Sequence, residues 1–104
     1  MIPGTGDDIL AWLVSWYIEQ CDGEWEHAYG LSLDTLDNPG WVVVVDAPNG
    51  RSFGVDRPLS RRDIAEDHWV FLDIVGGKLR GVGSARHLLE LLGEIRSCLL
   101  EFSS

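Results

Sequence analysis

No lysine or arginine occurs in the first fifty residues of this 104-residue chain. The same fifty residues hold nine Asp or Glu, whereas residues 51–104 hold eight acidic and eight basic residues and balance. The whole net charge of −9 therefore lies in the first half. Nucleic acid and anionic membranes are disfavoured as direct partners, because their phosphates would meet carboxylates. Other absences narrow the class further. No run of about 18 apolar residues is present to span a bilayer. The start, MIPGTGDD, lacks a basic region followed by an apolar segment, so it does not read as a secretory signal. Cys21 and Cys98 are the two cysteines. Far apart in sequence, they form no framework and read as reduced thiols, which points to the cytoplasm. There is no repeat, linker or low-complexity segment, and the expected organisation is one domain over residues 1–104. With 45% hydrophobic residues and five Trp, the chain has enough apolar material for a packed core.

The periodicity predicts a helix over residues 7–20, DDILAWLVSWYIEQ, with Ile9, Leu13, Trp16, Tyr17 and Gln20 on one stripe. Thr5 with Asp8, or Asp7, caps its start, and Gly23 ends it in a left-handed conformation. Alternation over residues 25–36 predicts a strand. Asp37-Asn38-Pro39-Gly40 predicts a type II turn with Gly40 at positive φ. Trp41 to Val45, WVVVV, suits a central strand covered on both sides, or on one side plus an edge aromatic, and a second subunit is one way to cover it. A turn at Ala47-Pro48-Asn49-Gly50 leads into a short strand, Arg51 to Val55. Residues 57–66, RPLSRRDIAE, break the pattern and read as a mobile loop. His68 to Val75 is a strand, and Gly76-Gly77 makes a tight hairpin into a strand over 78–82. Ser84 caps a final helix over about 85–102, with Leu88, Leu91, Leu92, Ile95, Leu99 and Phe102 on its apolar stripe. The expected fold is α+β: an antiparallel sheet of four or five strands, with an N-terminal and a C-terminal helix on one face.

The densest chemistry lies in CDGEWEHAYGLSLDTLDNPGW, residues 21–41. Cys21, Asp22, Glu24, Glu26 and His27 include the common metal-ligand types, but there is no CxxC, HxH or HExxH. Read as a strand, the segment points Glu26 and His27 to opposite faces. A Cys21–His27 dyad is opposed by the helix C-terminus and the surrounding carboxylates, both of which disfavour a thiolate. GGKLRGVG, residues 76–83, lacks phosphate-loop spacing, and a hairpin followed by a helix start accounts for its glycines. Trp25 and Trp41 flank the turn and either clamp it or anchor an interface. No cofactor is expected.

WYIEQCDGEWEHAYGLSLDTLDNPGW, residues 16–41, resembles the signature region of the immunity protein 53 family, small bacterial proteins encoded beside polymorphic toxins. The matching residues are Trp16-Tyr17, Cys21-Asp22-Gly23, Trp25-Glu26-His27 and Thr35 to Trp41. The likeness is strong over residues 12–46, and the later strands and final helix agree in kind. It implies an α+β fold and a protein that binds and neutralises a cognate toxin, with no enzymatic activity. Nuclease toxins are often basic because they bind phosphate backbones, and a carboxylate-rich surface imitates that backbone. On this reading Asp22, Glu24, Glu26, Asp34 and Asp37 supply charge, and Trp25 and His27 a shaped patch. Three other readings stay open at this point. The toxin-binding face could be the segment carrying Arg57, Arg61 and Arg62. Alternatively, the chain could be a small metal-dependent hydrolase using His27 with Glu26 or Asp22, or a small-ligand-binding protein.

Overall fold

The computed structural model describes residues 5–48 and 50–103, with side chains over 8–48 and 50–102. The capping roles read for Thr5 and Asp7, and the turn position of Asn49, fall on side chains or residues outside that range. Helix α1 spans Thr5–Gln20 and a single helical turn, α2, spans Trp25–Ala28. Five strands follow: β1 Leu31–Leu36, β2 Gly40–Val45, β3 Arg57–Ala65, β4 His68–Val75 and β5 Lys78–Ser84, and then helix α3, Leu88–Ser103. The strands form one antiparallel sheet in the order β1-β2-β5-β4-β3. The expected α+β class is what the chain adopts. No helix among the described residues is long and apolar enough to cross a membrane.

Strand register divides the sheet into two faces. Val43 and Val45 of β2, Leu79 and Gly81 of β5, and Leu72 and Ile74 of β4 share the buried face through their cross-strand pairing. Both long helices lie on that side. Ile9, Leu13 and Trp16 of α1 and Leu91, Leu92, Ile95 and Leu99 of α3 complete the core. Gly81 and Gly83 are what let α3 sit so close. A Cβ on Gly81 would stand 2.7 Å from Leu91 Cδ1 and 3.0 Å from Ile95 Cδ1, and one on Gly83 would stand 3.2 Å from Leu91 Cβ. These two glycines thus seat a helix and are not hairpin or helix-start residues.

Several local expectations give way. Gly40 is not among the positive-φ glycines. It opens β2 opposite Leu36, and a Cβ there would be 2.6 Å from the Gly83 carbonyl and 3.0 Å from the Trp69 ring. Close strand approach, not turn geometry, demands the glycine. Residues 51–55 form no strand; Phe53 is buried there and meets Phe102 of α3, ring centroids 4.7 Å apart. Conversely, residues 57–65 are no loop: they form the edge strand β3, with register shifts at Pro58/Ser60 and Asp63/Ala65. Ser84 does not begin α3, which starts at Leu88. The Gly76-Gly77 turn is as expected, with φ of +62° and +77°, values that suit a two-residue hairpin.

Candidate partner-binding surface

The segment after α1 is organised by its own carboxylates. Gly23, at φ +93°, reverses the chain. Asp22 Oδ1 accepts hydrogen bonds from the Glu24 and Trp25 N–H groups, both at 2.9 Å. Glu26 reaches back and accepts from the Asp22 and Gly23 N–H groups at 3.0 and 2.9 Å. The reciprocity resembles a capping box set one turn early, since Glu24, the residue that caps α2, makes no side-chain cap bond. Backbone donors, its own N–H foremost and then those of Asp22 and Gly23, hold the Glu26 carboxyl below its ordinary value. Asp22 and Glu26 therefore shape the turn as well as carrying charge.

The effect of that turn is to drive Trp25 into the protein. It is 2% exposed, and its indole N–H donates to the Ala47 carbonyl at 2.9 Å. Its ring meets Trp16, Tyr17 and Tyr29 at centroid distances of 6.1, 6.1 and 6.4 Å. The helical turn over 25–28 replaces the strand expected from residue 25 onward, and this reversal of period is why an indole read as a surface anchor lies in the core. Trp25 and Trp41 do not clamp the Asp37–Gly40 turn together; Trp41 donates its indole N–H to the Ala85 carbonyl at 2.8 Å.

Glu24 and His27 remain exposed. Asp34 is exposed on β1, on the sheet face away from the helices, where it pairs in register with Val42. Asp37 is exposed in the turn beyond. At about 3.3 Å per extended residue, Asp37 lies roughly 20 Å along β1 from Leu31, where the strand leaves the 22–27 segment behind. The seven residues read as one patch thus divide into a turn cluster (Asp22, Glu24, Glu26, His27), a strand and turn pair (Asp34, Asp37) and a buried indole. On the helix side of β1, away from Asp34, runs an open groove of about 510 Å³, walled by α1 and β1 and lined almost wholly by apolar side chains.

The arginines of β3 are engaged with this chain's own groups. Arg57 donates to the Phe53 and Val55 carbonyls. Arg61 lies 4.5 Å over the Phe71 ring and 3.8 Å from Asp63, and Arg62 is 3.5 Å from Glu94. For the hydrolase reading, no group of three His, Cys, Asp or Glu placed to hold a metal ion occurs among the described residues.

One cluster escaped sequence reasoning. His68 and His87 stack with centroids 3.7 Å apart and planes at 5°. His68 Nε2 is 2.9 Å from Glu90 Oε1, and Ser84 Oγ is 2.6 Å from His87 Nδ1. The Ser84 hydroxyl also accepts from the Trp69 N–H at 3.1 Å and is 3% exposed. It ties β4, β5 and the start of α3 together, and its burial leaves little room for a substrate. His68, more than any other group, holds the Glu90 carboxyl below its ordinary value. Only the spacing of Ser84, His87 and Glu90, three residues apart, hinted at this in sequence. Both cysteines are free thiols; burial above all pushes Cys98 up to about 11, so it is unsuited to nucleophilic chemistry.

Comparison with curated proteins and with solved structures finds no match. A family model described as immunity protein 53 matches residues 10–99, from within α1 to within α3. That span contains every strand of the sheet and both acidic groups, and this chain belongs to the immunity protein 53 family.

Proposed function

We propose that this protein neutralises a basic, nuclease-type toxin by direct contact with its acidic first half. Family membership carries the immunity role. The charge asymmetry supports the sign of the partner: nine carboxylates with no Lys or Arg over residues 1–50, among which Glu24, Asp34 and Asp37 are exposed. A surface of this kind attracts a protein evolved to grip phosphates, and offers its groove carboxylates in their place. Long-range attraction accelerates encounter, and it is screened over about 10 Å at 0.1 M salt.

The test uses the effector encoded beside this chain, purified in a catalytically inactive form. Stopped-flow association should slow by about tenfold or more between roughly 50 and 500 mM salt. Charge reversal at Glu24 with Asp34 should slow it at low salt and leave dissociation nearly unchanged. No binding at any salt, or an association rate indifferent to salt and to both reversals, would overturn the reading.

A further inference from the structure

Five of the eleven exposed large hydrophobic side chains among the described residues gather in one place. Leu10, Val14 and Tyr17 on α1 are 50%, 57% and 38% exposed, and Tyr29 and Leu33 across from them are 56% and 42% exposed. These five form the lips of the α1–β1 groove, whose floor is provided by the inner valines of β2. A groove of about 510 Å³ matches a small-molecule pocket in size. Such pockets, however, converge several polar groups on their ligand, and here the side chains offer only the two tyrosine hydroxyls. An apolar patch with a polar surround is instead the composition of a protein interface.

Two further observations identify the occupant. First, ten of the eleven residues lining the groove belong to the half of the chain without Lys or Arg; Leu92 is the exception. Asp22, Glu24 and Glu26 stand at the Tyr29 end, and Asp37 lies in the turn beyond the Leu33 end, while Asp34 points to the other sheet face. A segment entering there meets hydrocarbon along the groove and the carboxylates of the 22–26 turn at its Tyr29 end. Second, the two edges of the sheet are treated differently. The β3 edge carries Pro58, which has no N–H, and two register shifts, both devices that discourage strand addition. The β1 edge, LSLDTL, has neither and pairs with β2 in unbroken register. The unguarded edge is the one beside the groove. A second copy of this chain fits poorly, because two-fold packing through the groove would bring two acidic halves together.

We infer that the α1–β1 groove is the anchoring site for the toxin, which fills it with apolar side chains flanked by Lys or Arg. The inference rests on the proposed function and assigns that function its short-range contact: charge brings the partner in, and the groove holds it.

The experiment measures binding of the inactive effector encoded beside this chain to four forms: wild type, Leu10→Ser/Val14→Ser, Leu33→Ser and the control Val55→Ser, whose side chain is 77% exposed outside the groove. Both groove variants should bind about 100-fold more weakly, chiefly through faster dissociation, as loss of a central apolar anchor does. The control should bind as wild type. Because the substituted side chains are half exposed, thermal midpoints should stay close to wild type; Leu33→Ser probes the groove from the sheet, independently of α1. Wild-type affinity in both groove variants would overturn the inference while leaving the toxin-binding function intact. A wild-type dimer in gel filtration that the groove variants split would assign the groove to a second copy and also overturn it. Failure of the wild type to bind would overturn both readings.

Discussion

Replacement of Trp25 separates a core role from an interface role. A Trp side chain buries about 150–250 Å², and Trp25 is 2% exposed, so at about 25 cal/mol per Å² its burial contributes roughly 4–6 kcal/mol. Alanine retains part of that area but leaves a cavity between α1, the 46–48 segment and Tyr29, and strips the Ala47 carbonyl of its donor. Trp25→Ala should therefore cost about 3–5 kcal/mol, a large share of the 5–15 kcal/mol typical of a whole domain. Trp25→Phe keeps an aromatic ring and loses the indole N–H bond, for about 1–2 kcal/mol. In a chain of this length each kcal/mol lowers the thermal midpoint by about 4–8 °C. Circular-dichroism melting should thus show Trp25→Phe down by about 5–15 °C and Trp25→Ala largely unfolded near room temperature or not far above it. A Trp25→Ala protein that melts like wild type but no longer binds the toxin would refute the burial argument and restore Trp25 to the interface.

Three further perturbations test the frame that presents the groove. Gly81→Ala places a methyl 2.7 Å from Leu91 Cδ1 and 3.0 Å from Ile95 Cδ1, both on buried side chains, and should lower stability by about 1–3 kcal/mol in chemical denaturation. Gly93→Ala, in mid-helix with open space around its Cβ, should raise stability by up to about 1 kcal/mol by the same measurement. Glu90 is held below its ordinary value, first by the His68 hydrogen bond, with Arg62 and His87 adding to it. Its contribution is therefore present above the ordinary carboxylate value and is lost as pH falls through the lowered one. Discounted for its partial exposure, Glu90→Gln should cost about 1 kcal/mol at pH 7 and flatten the decline in melting temperature between about pH 5 and pH 3.

The elements legible in the sequence were those whose pattern came from one buried face. α3 shows a single stripe at helical spacing, and Leu91, Leu92, Ile95 and Leu99 of that stripe are buried as expected. The Gly76-Gly77 hairpin follows from local torsion preference alone. β3 was hidden because it lies at a sheet edge with most of its residues exposed, so arginines and Pro58 occupy positions that carry no alternation. The groove was hidden for the opposite reason. α1 is apolar around much of its circumference, and the stripe Ile9, Leu13, Trp16 masked a second one, Leu10, Val14, Tyr17, one position along. A helix with more apolar faces than its own core needs has one left for something else, and that surplus was the available signal. The His68–His87 stack had no local signal at all, since antiparallel pairing of β4 with β5 brings residues nineteen apart into contact. The acidic turn was read correctly in composition and wrongly in period. Its carboxylates fold a helical turn, and that turn swallows the indole between them.

The central claim is that the first half of the chain meets the toxin. Hydrogen exchange of this protein, alone and saturated with the inactive effector, tests it most directly. Slowed exchange is predicted over α1 and residues 21–37, with β3 at the far edge unchanged. Protection confined to β3, or to the sheet face opposite the helices with α1 unaffected, would contradict the account.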